Sequence, residues 1–336
     1  MQSMVTFGNQ PAPGVAEGRH AIGIDVGGTK IAWGIVDLAT GAISSREQMP
    51  TDFARGGEPV LVDVTRMARG LMAEARRQGL MPATLGVGVA EIVDPKGRVS
   101  SDHRIKWRGL DVQGRLGAEI ADLGACDVML SADVRAAALA EARFGAGRGG
   151  EDFYYVTIGT GVSGVLVQSG QPYAGSQGAA LVIANGPVTC TCPECGHVSR
   201  HVVEDIASGP ALAAAFAPGC RAEDVLDAAE KGDVRAVAVI DHAAQALGQV
   251  LALLVDALDP ARLVIGGGLG SAPGAYFTSI KRAIRASLWD GYRRDLPILQ
   301  AALGPDAGLI GAAAATMFTQ EPVNRPDTCI LTTQGR

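Results

Sequence analysis

Apolar positions in this chain fall into short blocks broken by glycine-rich polar turns, and into longer stretches spaced as on one face of a helix. His20 to Asp37 reads H-A-I-G-I-D-V-G-G-T-K-I-A-W-G-I-V-D, an apolar run, a polar glycine turn and a second apolar run. That pattern predicts a β-hairpin. The plan returns from Asp152 to Gly170, with its turn at Gly159-Thr160-Gly161. Between the two, Pro59 to Gly79 has helical periodicity and Thr84 to Asp94 is a buried strand running into a loop. Cys126 to Leu130 is a further short strand, and Ala136 to Phe144 an alanine-rich helix. Val234 to Leu258 is a long amphipathic helix leading into R-L-V-I-G-G-G-L-G, Arg262 to Gly270, and a last helix spans Ala307 to Phe318.

Two hairpins with polar tips, each followed by mixed strands and helices, predict a duplicated α/β architecture whose halves face each other across one cleft. On this reading residues 20–131 form an N-terminal α/β domain, joined by the returning helix 307–318. Residues 132–306 form a C-terminal α/β domain with a cysteine-rich loop at 186–204, and residues 1–19 and 321–336 are a flexible leader and tail.

Composition narrows the function classes. The 336 residues suffice for two domains, and 47% hydrophobic against 19% charged residues argues against general disorder. With 29 Lys+Arg and 35 Asp+Glu the net charge is −6, so no basic field draws the chain to nucleic acid or an anionic membrane. The first nineteen residues hold no apolar block typical of a signal peptide, and no other segment reads as membrane-spanning, so a cytoplasmic protein is expected. Three of the six cysteines crowd into Cys190-Thr-Cys192-Pro-Glu-Cys195, which is not a disulfide framework.

The candidate chemistry lies in the turns. Gly27 and Gly28 let backbone N–H groups approach an anion, Thr29 and Lys30 add donors, and Asp25 is placed to hold a Mg²⁺-bound water. Gly159, Thr160 and Gly161 would grip the same triphosphate from the other side, and Gly266, Gly267 and Gly268 suit a nucleotide base or ribose. By contrast Gly145-Ala-Gly147-Arg-Gly-Gly150 follows a helix, the reverse of a dinucleotide-binding context, and reads as a plain loop. No G-x-x-x-x-G-K-[ST] loop occurs. In S-A-D-V-R-A-A-A-L-A-E, Ser131 to Glu141, the plainest role of Asp133 is a helix cap.

Taken together, I-G-I-D-V-G-G-T-K, V-T-I-G-T-G, L-V-I-G-G-G, E-D-I-A-S-G-P-A-L and G-L-I-G-A-A-A, in this order over residues 20 to 318, resemble the ROK family of repressors, open reading frames and sugar kinases. The resemblance implies a duplicated actin/hexokinase-like (ribonuclease H-like) ATPase fold, with ATP, Mg²⁺ and a sugar in the cleft, and a homodimer. It favours the kinase branch over the repressors, with no nucleic-acid partner, because ROK repressors carry an N-terminal helix-turn-helix domain and here only the leader precedes the first strand; no membrane partner is expected from the charge and the apolar pattern. It makes Asp133 the catalytic base, which accepts the proton of the attacking hydroxyl.

Departures from the family pattern cluster on the sugar side. The N-D-A-N segment is Ala132-Asp133-Val134-Arg135, the G-x-P-G loop is Gly88-Val89-Ala90-Glu91, and His103 stands four residues before Trp107 in place of asparagine. A-G-E-x-G-H is Ala180 to Asn185, with Val182 and Asn185 where the family's Glu and His contact the sugar. Glu91, His103, Asp133 and Arg135 are therefore the expected substrate residues. Glu91 either favours a cationic amino sugar or pairs with Arg135. The altered zinc loop, C-T-C-P-E-C-G-H, offers Cys190, Cys192, Cys195 and either His197 or His201 for a structural Zn²⁺. The reading is an ATP-dependent kinase acting on the primary hydroxyl of a hexose or hexose derivative; the alternatives are an amino-sugar kinase and a catalytically weak or inactive sugar and nucleotide sensor.

Overall fold

A computed structural model describes residues 19–82, 84–123, 127–180, 182–191 and 195–315. The first half contains β1 (His20–Val26), β2 (Lys30–Asp37), β3 (Ile43–Pro50), α1 (Gly57–Arg77), β4 (Thr84–Val89), α2 (Val112–Ile120), β5 (Asp127–Ala132) and α3 (Asp133–Phe144). The second begins with β6 (Phe153–Ile158), β7 (Val162–Gln168), β8 (Gln171–Pro172), and the hairpin β9 (Pro187–Thr191) and β10 (Val198–Val202). Helices α4 (Glu204–Ala207), α5 (Gly209–Phe216), α6 (Ala222–Glu230) and α7 (Val234–Leu258) follow. The described chain ends through β11 (Arg262–Gly266), α8 (Gly267–Gly270), α9 (Ala275–Ser287), β12 (Ile298–Gln300) and α10 (Ala307–Ala315).

The duplication is visible in the sheets. Strand order is β3-β2-β1-β4-β5 in one and β12-β11-β6-β7-β8 in the other. Each is an antiparallel three-stranded meander extended by two parallel strands, so β6, β7, β8, β11 and β12 repeat β1 to β5. The parallel strands need crossovers, which the intervening helices supply.

Strand β1 is buried on both faces, and its two faces differ in size. Ile22, Ile24 and Val26 join α1 residues Val60, Leu61, Val64 and Leu71 in one core. Burying each such side chain stabilises by roughly 2 kcal/mol. On the other face Ala21 joins a middle layer formed with α3 and α10. The backbones there approach too closely for larger residues. A Cβ on Gly23 would collide with the Leu309 carbonyl, one on Gly86 with that of Ala312, and one on Gly311 with that of Ala136. The stripe of small residues in α10 is thus the condition for threading a helix between two sheets. Asp25 is the next position on this small face of β1, and it lies beneath Gly308 at the start of α10.

Helix α7 corrects one sequence reading. Its 25 residues are long and apolar enough to cross a membrane by composition. Ile240, Leu247, Leu251 and Val255 are instead buried in the core of the second half, against Tyr276, Ile280 and Ile284 of α9. The helix predicted over 307–318 is described as far as Ala315.

Candidate active site

A cavity of about 780 Å³ lies where the two halves meet, lined by residues from both. Thr29 and Lys30 reach it from the β1–β2 tip, Gly159 and Thr160 from the β6–β7 tip, Gly267 and Gly268 from the start of α8, and Asp25 and Asp133 from the floor. Gly27, Gly28, Gly161 and Gly266 belong to the same three turns. The first tip is closed by Gly27 N–H donating to the Lys30 carbonyl (3.0 Å), and Thr51 braces it with Oγ donating to the Gly27 carbonyl (3.0 Å). At the second, Gly209 N–H donates to the Gly159 carbonyl (2.8 Å). Val162 N–H donates to Glu204 Oε2 (2.8 Å), and that same oxygen would stand 2.6 Å from any Cβ on residue 161. Gly267 has φ +81° and packs on Ile158 and Thr157, a conformation and a fit that only glycine accepts at low cost.

Two aspartates face this cavity. Asp25 Oδ1 is buried with no hydrogen-bond partner among the described residues. Burial and the charge of Asp133 push Asp25 up to about 7, with Lys30 opposing and Asp306 adding. Asp133 is not the cap of α3: Ala132 holds that position and Asp133 is the first helical residue. Its Oδ1 accepts from Val134 N–H (2.6 Å). Burial pushes Asp133 up to about 6; the Val134 hydrogen bond and Arg135 oppose this, and Glu91 adds to it. A carboxylate titrating near neutrality can accept a hydroxyl proton during reaction. The donor-rich tips and Lys30 suit phosphate oxygens, and the unpartnered oxygen of Asp25 fits a hydrated divalent cation.

The acceptor side departs from the sequence expectations. Glu91 is buried, and its two oxygens accept four hydrogen bonds, from Ser101 Oγ and the N–H groups of His103 (2.9 Å), Arg104 and Ile105 (2.8 Å). Burial raises its pKa, but these bonds outweigh it and hold the carboxyl below its ordinary value. The expected Glu91–Arg135 pair is not made: Arg135 donates to the carbonyls of Val93 (2.6 Å) and Gly178 (3.3 Å). His103 is exposed, and Glu91, His103 and Arg135 do not line the 780 Å³ cavity. Val182 and Asn185 are exposed.

Of the zinc-loop residues, Cys192 lies outside the described residues. Cys195 and His197 are exposed between β9 and β10, where backbone register sets Cys190 opposite Ser199. His201 Nε2 is 2.9 Å from Ser199 Oγ. Among the described residues no three His, Cys, Asp or Glu side chains are grouped to hold a metal ion.

Sequence reasoning missed Thr157, which lines the cavity as the counterpart in β6 of Asp25 in β1. Aligning I-D-V-G with V-T-I-G exposes it, as the one polar residue in each apolar run. Also missed were Tyr155, Arg221 and Glu223 in the cavity wall, for which no local pattern exists.

Two matching halves closed around a cleft, with glycine-rich turns and two aspartates lining it, define the actin/hexokinase-like fold. The chain belongs to the ROK family, whose family model matches residues 21–318. It is 28% identical over 318 residues to a glucokinase of Halalkalibacterium halodurans, spanning 87% of this chain and 93% of that one. It is 31% identical over 303 residues to an N-acetylmannosamine kinase of Haemophilus influenzae, spanning 88% and 94%. The ROK family glucokinase from Streptomyces griseus, solved with glucose and AMPPNP, superposes with a TM-score of 0.74 at 29% identity, over 88% of this chain and 98% of that one.

Proposed function

We propose that the protein is an ATP-dependent sugar kinase that phosphorylates the primary hydroxyl of a hexose or hexose derivative. The observation that carries this reading is the placement of Asp133, at the head of α3 in a cavity that the two glycine tips also line. ATP lies with its phosphates between Gly27–Lys30 and Gly159–Gly161, and its base and ribose against Gly266–Gly268. Asp133 takes the proton of the attacking hydroxyl, and Lys30 offsets phosphate charge. Mg²⁺ carried with ATP would be held through water by Asp25 and would neutralise the phosphates.

The relatives' names, glucokinase and N-acetylmannosamine kinase, support a neutral hexose or an N-acylated one. Against a cationic amino sugar stands Glu91, whose oxygens are already engaged. A structural Zn²⁺ on Cys190, Cys192, Cys195 and His197 or His201, and a homodimeric assembly, complete the proposal. Elemental analysis near one zinc per chain and light scattering check these two parts. The decisive experiment is a panel of neutral, N-acylated and amino sugars assayed for ADP release with MgATP. ADP release with one sugar class, abolished by Asp133→Asn, supports the kinase. ATP binding without turnover on any sugar supports the sensor, the reading that Val182 and Asn185 favour.

A further inference from the structure

Arg135 is a guanidinium on an alanine-rich helix, two residues beyond Asp133. A guanidinium drawn out of water needs partners for its donors, and burial pushes the pKa of this one down. Its satisfaction comes from two carbonyls on different parts of the fold. Nη2 donates to Val93 (2.6 Å), in the turn that follows β4 of the first half. Nη1 donates to Gly178 (3.3 Å), in the loop that follows β8 of the second half.

The two loops are also in direct backbone contact. Gly178 has φ +79°, and a Cβ there would lie 2.7 Å from the Val93 carbonyl carbon and 3.0 Å from Asp94 Cα. A side chain would thus be strained by conformation and by space. Both loops carry or lead to positions at which the family pattern and this sequence differ. The first carries Glu91, which organises residues 101–105, and the second runs on towards Val182 and Asn185.

We propose that Arg135 is a positioning residue: its guanidinium latches loop 173–180 of the second half onto turn 91–94 of the first, and this latch forms the outer wall of the acceptor site. The inference rests on reading the cleft as that of a sugar kinase. Sugar affinity then depends on the latch, and ATP affinity, set at the three glycine turns, does not. Gly178 contributes the close fit and Arg135 the hydrogen bonds, so the two act as one unit.

Two measurements on the full chain test it. With the sugar that the wild type phosphorylates, Arg135→Ala raises the sugar KM at least about tenfold, with ATP KM and kcat within about threefold. Arg135→Lys, able to donate to one carbonyl, restores part of the loss. Gly178→Ala reproduces the KM effect without changing charge, and the double variant is no worse than the poorer single one. An unchanged sugar KM in Arg135→Ala, or effects that simply multiply in the double variant, overturns the proposal. Hydrogen exchange of the nucleotide-free protein gives a reading independent of activity. Amides of 92–100 and 173–180 exchange faster in Arg135→Ala and Gly178→Ala, and those of β1 and β6 do not. Unchanged exchange at both loops refutes the latch even if no sugar is phosphorylated, whereas loosened loops without turnover refute only the kinase reading. Should Arg135→Ala fail to fold, Arg135→Lys and Gly178→Ala carry both measurements.

Discussion

Asp25→Asn separates what the cleft needs for chemistry from what the fold needs for stability. The carboxyl is raised from 3.8 to about 7, with burial the largest cause and the charge of Asp133 next. At about 1.4 kcal/mol per decade, holding Asp25 ionised in the empty cleft costs up to about 4 kcal/mol. An asparagine amide keeps the shape without the charge, and leaving it unpartnered costs about 1–3 kcal/mol. The variant is therefore expected to be more stable than wild type by about 1–3 kcal/mol at high pH. The sign follows from the folded value lying above the unfolded one. Protonation of Asp25 stabilises the native wild type fully below pH 3.8, and that stabilisation is lost as pH rises through about 7. The advantage of Asn is thus widest above pH 7 and narrows towards pH 4. Urea unfolding of the nucleotide-free protein at about pH 8 and about pH 5 reads both values. ADP release by the same variant should be lost although the protein is more stable. An Asn variant less stable than wild type at the higher pH, or an equal gap at both, would refute an unpaired buried carboxylate.

Asp133→Asn should lower turnover by about 10²–10⁴-fold while AMPPNP affinity holds; an effect of only a few-fold removes Asp133 as the base. Because the base must be deprotonated, wild-type kcat/KM should fall as pH drops through about 7 and about 6, where Asp25 and Asp133 take up protons. A profile flat to pH 5 contradicts this. Gly311→Ala places a Cβ against the Ala136 carbonyl and forces α10 from α3. We expect a loss of about 3 kcal/mol or more in urea unfolding, and a loss below about 1 would show the layers to be less tightly packed. Glu91→Gln turns an amide NH₂ towards donors that now meet a carboxylate, so a loss of about 2 kcal/mol is expected, with faster amide exchange at 101–105. Unaltered exchange there would deny Glu91 its organising role.

Much of this protein is written locally. The bounds of α7 follow from apolar spacing, and the two hairpins from apolar runs broken by glycine, because periodicity and turn conformation are properties of neighbouring residues. The glycine-rich turns that meet at the cleft were legible for the same reason: each is a few consecutive residues. Asp133 could be picked out from its motif, but its elevation to about 6 could not, since burial beneath elements remote in sequence produces it. Glu91 shows the limit most clearly. Its charge and its loop suggested a reader of substrate, and the partners that consume that charge, residues 101–105, are identifiable only once the loop is folded. Arg135 likewise has partners 42 and 43 residues away, both backbone carbonyls, which no side-chain pattern announces. Gly23, Gly86 and Gly311 look like weak points in strand and helix until α10 is laid between the sheets. The sequence by itself determined which segments form strands, helices and phosphate-type turns, since those depend on adjacent residues. Which polar groups stay free for substrate was decided only by the tertiary structure, because hydrogen bonding and desolvation are settled between segments that the chain brings together from afar.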